Sequence, residues 1–194
     1  MTTNIPGYAY GDPGLVTSPV TLEDLAKLEQ TVLWTEDDAR AIARAGEILT
    51  PRVGRVLDVW YGYVGSHPFL IETFAGADGT PDAGYLGAVR ARFERWIVDL
   101  CTRTRDQDWL DYQHEIGLRH TSAKKNLTDN SASTSLEIPL RYLVAFIVPL
   151  TVTIRPFLAE EITDANELDA VYHAWLKAVT LTASLWAEPY SQSW

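Results

Sequence analysis

Six apolar side chains, Leu86, Val89, Phe93, Trp96, Ile97 and Leu100, recur mainly in steps of three and four. That spacing gathers them on one face of an α-helix and would scatter them over both faces of a strand. Arg90, Arg92, Arg95 and Arg103 occupy the other sides. The same period returns in Val53, Val56, Leu57, Trp60, Tyr61 and Val64, and again in Leu168, Val171, Trp175, Leu176, Val179 and Leu185. Helix starts are marked by Thr21 with Asp24, a relative of the capping box, and by Thr35 with Glu36, Asp37 and Asp38. Thr50-Pro51 and Thr80-Pro81 open helices with proline at the first position, and Thr163 caps the last helix. Gly65-Ser66-His67-Pro68 and Pro189 are stops. Ile138 to Leu158 is the most apolar helix, and Pro149 and Pro156 should kink or end it. No alternating run bounded by hairpin turns is present. The expected fold class is all-α, with about eight helices around one core.

Length and composition narrow the class further. The 194 residues suit one domain, and 46% hydrophobic content is ample for a core. A formal charge of −10 gives no electrostatic case for nucleic acid or an anionic membrane. No uninterrupted apolar run reaches about 18 residues, so no spanning helix is expected. The N-terminus, MTTNIPGYAYGDPG, has neither a basic region nor an apolar core and does not read as a signal peptide. The single cysteine, Cys101, cannot close an internal disulfide, and the expected compartment is a reducing cytoplasm. Residues 1–20 are rich in Gly, Pro and Tyr and read as a loop segment lying across a surface, with disorder as the alternative. Lys124 to Glu137 is a polar loop.

Much site chemistry is excluded by what is missing. There is no CxxC, CxxCH or HExxH, and no Gly-rich loop follows a strand. None of His67, His114, His120 and His173 lies three or four residues from another on one helix, so no chelating pair is encoded locally. Acidic pairs such as Asp37-Asp38 sit at helix starts, where capping explains them. No nucleophile elbow is visible. What remains is a segment, WLDYQHEIGLRH from Trp109 to His120, that ends in histidine within a chain holding seven Trp and nine Tyr. Aromatics line planar-ligand pockets well. Haem suits such a site, because the porphyrin supplies four ligands and the protein needs to supply one. The sole methionine is Met1, which argues against a His/Met electron-transfer centre. A histidine at a helix end is also a common cap or surface residue, and Trp60, Tyr61 and Phe93 on apolar stripes are equally core residues. Composition and spacing stop at an aromatic-rich helical domain able to hold a planar ligand.

Several longer stretches go further. They are IPGYAYG near the start, WYGYVGSHP from Trp60, DGTP from Asp78, RARFERWIVD from Arg90 and DWLDYQHEIGLRH from Asp108. KKNLTDN from Lys124, RYLVAFIVPLT from Arg141, PFLA from Pro156 and LWAEPY from Leu185 complete the series. In this order they resemble the protoglobins, single-domain globins related to the sensor domains of globin-coupled sensors. The resemblance spans nearly the whole chain. It implies a globin fold over residues 1–194, a helical sandwich around haem b, with an extra helix at residues 21–33 and the N-terminal segment wrapping the cofactor. It implies His120 as proximal iron ligand. Trp60 and Tyr61 match the distal pair, and Phe93, Phe74 and Phe146 match aromatics around the haem. Val64, Leu86, Val89, Tyr112 and Leu143 complete the implied cofactor contacts, and Arg92 is the implied partner of a haem carboxylate. Val89 stands where many globins carry a distal histidine, so a hydrogen bond to dioxygen falls to Tyr61, with Trp60 as its rival. His120-Thr121 replaces the two successive histidines frequent in the family. The implied partners are O2, CO and NO, together with a second copy docked through Ile138–Leu158 and Thr163–Ala187. The implied function is reversible gas binding for sensing, storage or scavenging. The alternatives are a haem enzyme on the same scaffold (nitric-oxide dioxygenation, peroxidase-like turnover, carbene or nitrene transfer) and a helical interaction module without haem.

Overall fold

The computed structural model describes residues 5–191, so the first four residues of the N-terminal segment and the last three of the chain lie outside the description. Among the described residues ten α-helices run in order. The first six are α1 (Leu22–Thr31), α2 (Glu36–Leu49), α3 (Val53–Gly65), α4 (Pro68–Ile71), α5 (Ala83–Thr102) and α6 (Gln107–His120). After a polar loop come α7 (Leu140–Ala145), α8 (Ile147–Val152), α9 (Arg155–Ala159) and α10 (Ala165–Ala187). Among the described residues no strand forms beyond an isolated bridge between Ala75 and Pro81. The fold class is therefore the all-α one expected.

The helix starts follow local chemistry. Thr21 and Thr35 each accept the amide of the residue three positions on, and Asp24 and Asp38 reach back to the cap amides, which makes two full capping boxes. Two starts fall later than expected. Asp82 and Asp164, not Thr80 and Thr163, cap α5 and α10, because their carboxylates accept the amides of Tyr85 and Glu167. The apolar segment from Ile138 breaks where its prolines dictate. A proline ring clashes with the carbonyl four residues earlier. Pro149 therefore ends α7 at Ala145, and Pro156 ends α8 at Val152. Counted as one kinked helix, α7 to α9 bring the number to the eight expected.

Leu140–Ala159 has the length and composition of a membrane-crossing helix, with mean hydropathy 1.8, contrary to the expectation that no such stretch exists. One third of it is buried in the fold. The remainder presents Leu140, Val144, Val148 and Val152 outward at four-residue intervals.

Helix α10 is the centre of the packing and touches α2, α6, α7, α8 and α9. Its Trp175 is fully buried, and the indole N–H donates to the Leu150 carbonyl at 3.0 Å, which ties α10 to α8. Helix α2 packs closely on α5 because Gly46 has no side chain. A Cβ there would lie 2.7 Å from Cβ of Cys101. Cys101 itself is buried, and burial raises its thiol pKa to about 12, so the sulfur behaves as a small apolar group.

Asp38 joins three parts of the fold. It caps α2, accepts both short contacts of Lys177 Nζ at 2.8 Å, and through that lysine reaches the Leu33 carbonyl. Burial alone would raise its pKa, but the hydrogen bonds from Lys177 and Thr35 together hold it below the usual carboxylate value. A lowered folded-state pKa contributes stability above the unfolded value, about 3.9, and loses it as pH falls through the folded value. Asp38→Ala should therefore lower unfolding free energy by about 1–3 kcal/mol at neutral pH. In denaturant titrations the gap between variant and wild type should narrow below about pH 4. An unchanged gap in acid would mean that the charge contributes nothing.

Candidate functional site

A cavity opens between α3, α5, α6, α10 and the α7–α8 break, and its lining is mostly aromatic and aliphatic. His120, the last residue of α6, lines one side. Its Nδ1 lies 2.8 Å from the carbonyl oxygen of Ile116, one turn earlier on the same helix. A carbonyl can only accept, so Nδ1 carries the proton and Nε2 keeps a lone pair. Burial lowers the imidazole pKa to about 4; the Ile116 hydrogen bond works against this, and the charges of Lys125 and Arg119 reinforce it. The ring is thus neutral at pH 7, and Nε2 makes no hydrogen bond among the described residues.

The ring is held from behind. Trp186 stacks on it at 5.2 Å between centroids, and the Trp186 indole N–H donates to Oε1 of Gln113 at 2.9 Å. The His120 carbonyl accepts the Ile138 amide at 2.7 Å, and the Tyr190 hydroxyl lies 3.0 Å from that carbonyl and 2.5 Å from that of Ile138. Gly117 permits this. A Cβ at Gly117 would meet Pro189 Cγ at 3.1 Å and the Trp186 carbonyl at 3.2 Å. The C-terminal turn therefore presses on α6 at the one position without a side chain.

Trp60, Tyr61 and Val64 from α3, Val89 and Phe93 from α5, and Leu143 and Phe146 at the α7–α8 break also line the cavity. Trp60 and Phe93 pack at 5.1 Å. The Trp60 indole N–H donates to Oγ1 of Thr153 at 2.6 Å, and that hydroxyl donates onward to the Pro149 carbonyl. Trp60 therefore has no donor left for a ligand. The Tyr61 hydroxyl has no hydrogen-bond partner among the described residues. Burial raises its pKa, so it remains a protonated donor at neutral pH.

Phe74 and Tyr112 line the cavity as well. Tyr112 meets Tyr8 and Tyr10 edge-on at 5.2 and 5.7 Å. The Tyr8 hydroxyl donates to Asp99 at 2.6 Å. This accounts for the tyrosines of the N-terminal segment, which is pinned to the helices. At the rim, both arms of Arg92 lie on Asp129 at 2.8 and 2.6 Å, and Nη1 also donates to the Pro6 carbonyl. Arg119 is paired with Glu115 and donates to the Gly7 carbonyl at 2.7 Å. Gly7 has φ +71°, and a Cβ on it would lie 2.7 Å from the Arg92 guanidinium.

One expected contact is not on the cavity. Leu86 is half-buried and turned aside, and Tyr85 takes its place. Positions 85, 89, 92, 93 and 96 share a face of α5, and one residue of helix rotates about 100° away from it. Lys125, Trp96 and Trp186 also line the cavity, and the sequence does not single them out as site residues. The run LWAEPY contains Trp186, but nothing local marks it as a neighbour of His120. No group of three or more His, Cys, Asp or Glu able to hold a metal by itself occurs among the described residues.

Comparison with curated proteins gave no match. The protoglobin family model matches residues 21–193 of the 194-residue chain. A neutral, half-buried histidine on the wall of an aromatic cavity, with no all-protein metal site among the described residues, suits the haem that this family holds. The chain belongs to the protoglobin family and is a globin-type haem-binding protein.

Proposed function

We propose that the chain holds haem b through His120 Nε2 and binds O2, CO or NO reversibly on the side of Tyr61 and Phe93. The observation that carries this reading is the Nδ1–H of His120 on the Ile116 carbonyl, which leaves the other nitrogen bare toward the cavity. Bound haem would supply the iron at which diatomic gases coordinate. The protein's part is to orient and shield. Trp186 holds the imidazole plane, and the Nδ1 hydrogen bond to the Ile116 carbonyl raises the basicity of Nε2. Trp60, Phe93, Val89 and Phe146 keep water out of the gas-binding space. The Tyr61 hydroxyl offers a single donor to a ligand there, and Trp60, bonded to Thr153, offers none.

The same reading includes a homodimer. Val144, Val148 and Val152 are 51%, 61% and 54% exposed on one face of α7–α8, and Leu176 on α10 is 37% exposed. An apolar stripe of this kind is a feature of surfaces that pair, and a second copy of the same two segments would cover it with matching apolar residues.

His120→Ala should abolish stable haem retention, or leave haem whose spectrum is restored by added imidazole. A variant with an unaltered histidine-ligated spectrum would transfer the role to another residue. Tyr61→Phe should raise the O2 release rate roughly 5- to 10-fold, the worth of one neutral hydrogen bond. Trp60→Phe should change that rate far less; equal effects in stopped-flow measurements would remove Tyr61 from its role. Val148→Glu should convert a dimer to a monomer in analytical ultracentrifugation with haem content unchanged. A wild type that sediments as a monomer would end the dimer reading.

A further inference from the structure

Three cations line the cavity: Arg92, Arg119 and Lys125. Two are neutralised from within the protein, Arg92 by Asp129 and Arg119 by Glu115. Lys125 has no carboxylate partner among the described residues. It is only 3% exposed, and its ammonium is bonded to neutral oxygens alone. These are the Thr73 carbonyl at 2.7 Å, Oδ1 of Asn126 at 3.2 Å and Oγ of Ser133 at 3.4 Å. The Tyr85 ring lies 5.4 Å from Nζ and adds a weak attraction. A buried charge without a counter-charge is costly, and folded proteins pair such groups or neutralise them. Desolvation lowers the Lys125 pKa to about 8, which still leaves most of the ammonium charged at pH 7.

We infer that Lys125, and not Arg92, is the cation that receives a carboxylate of the bound haem. The inference rests on the haem reading above. The space beside Lys125 is the cavity it lines, so the missing negative charge is to be expected from the cavity's occupant. Haem b carries two carboxylates on one edge, and this cation would orient that edge toward Lys125 and the loop after α6. Arg92 has both prongs on Asp129, so a carboxylate reaching it would first have to displace an acid already seated there. The guanidinium instead anchors the N-terminal segment through Pro6.

The test compares release of haem with release of haem dimethyl ester, whose carboxylates are capped, to an excess of a haem-scavenging apoprotein. Lys125→Met should speed release of free-acid haem roughly tenfold or more and leave release of the ester close to that of wild type. Lys125→Arg, which keeps the charge, should retain the preference for the free acid. Lys125→Gln, which keeps a donor toward Thr73 and loses the charge, decides the matter if the Met variant folds poorly. Equal acceleration for both forms would make Lys125 a loop clamp and overturn the inference while leaving the haem reading intact. The inference also fails if Arg92→Gln, and not the Lys125 variants, abolishes the preference. A wild type that takes up neither form would overturn both.

Discussion

One hydrogen bond decides the chemistry of this protein, the bond from Nδ1 of His120 to the Ile116 carbonyl at 2.8 Å. It joins residues one helical turn apart, so α6 makes it with its own backbone once the helix has formed. A backbone carbonyl has two lone pairs, so that of Ile116 can accept from a side chain of its own helix as well as from an amide. The imidazole satisfies that carbonyl, and the carbonyl selects the tautomer. The stacked Trp186, its bond to Gln113 and the pressure of the C-terminal turn on Gly117 keep the ring in that geometry. Without the proton on Nδ1, the nitrogen facing the cavity would have to carry it and could not act as a donor to a metal.

The pocket combines side chains that touch the cavity with partners that settle what each can still do. Trp60 and Tyr61 are adjacent in sequence and both contribute to the wall, but they differ in what they offer. Thr153 takes the only donor of Trp60, whereas no partner among the described residues takes that of Tyr61. The same division separates the rim cations. Asp129 and Glu115 neutralise two of them, and neutral oxygens surround the third. Lining residues therefore fall into those whose donor and charge are already matched within the described residues and those with a donor, as in Tyr61, or a charge, as in Lys125, left unmatched.

Much of this can be read from the sequence because it is local. The period of α5, the capping boxes of α1 and α2 and the proline breaks after Ala145 and Val152 arise between residues a few positions apart. Sequence and structure part where a phase or a distant partner decides the outcome. Leu86 and Tyr85 differ by one step of helix rotation, and apolar character favours the wrong one. Thr80 and Thr163 are reasonable caps, but Asp82 and Asp164 reach the same kind of amide more directly. The bond from Trp60 to Thr153 spans 93 residues, and the pairing of Arg92 with Asp129 spans 37. Neither leaves a local trace. Lys125 stands in a polar stretch that reads as solvated loop, and only the fold buries it.

The N-terminal strap bears on entry to the cavity and departure from it. Its bonds to the rim join Pro6 to Arg92 and Gly7 to Arg119, 86 and 112 positions along the chain. Contacts of such long range carry a large loop-closure entropy, which docking of the helices that hold the far partners reduces. Until those bonds form the cavity mouth is open on that side. A flat, rigid molecule wider than any gap between packed helices is admitted most easily in that interval. Once the two arginines have taken hold of the strap, a molecule leaving on that side has both carbonyl bonds to break. A few turns of loop thus add a barrier to departure on that side, separate from the affinity of the pocket itself.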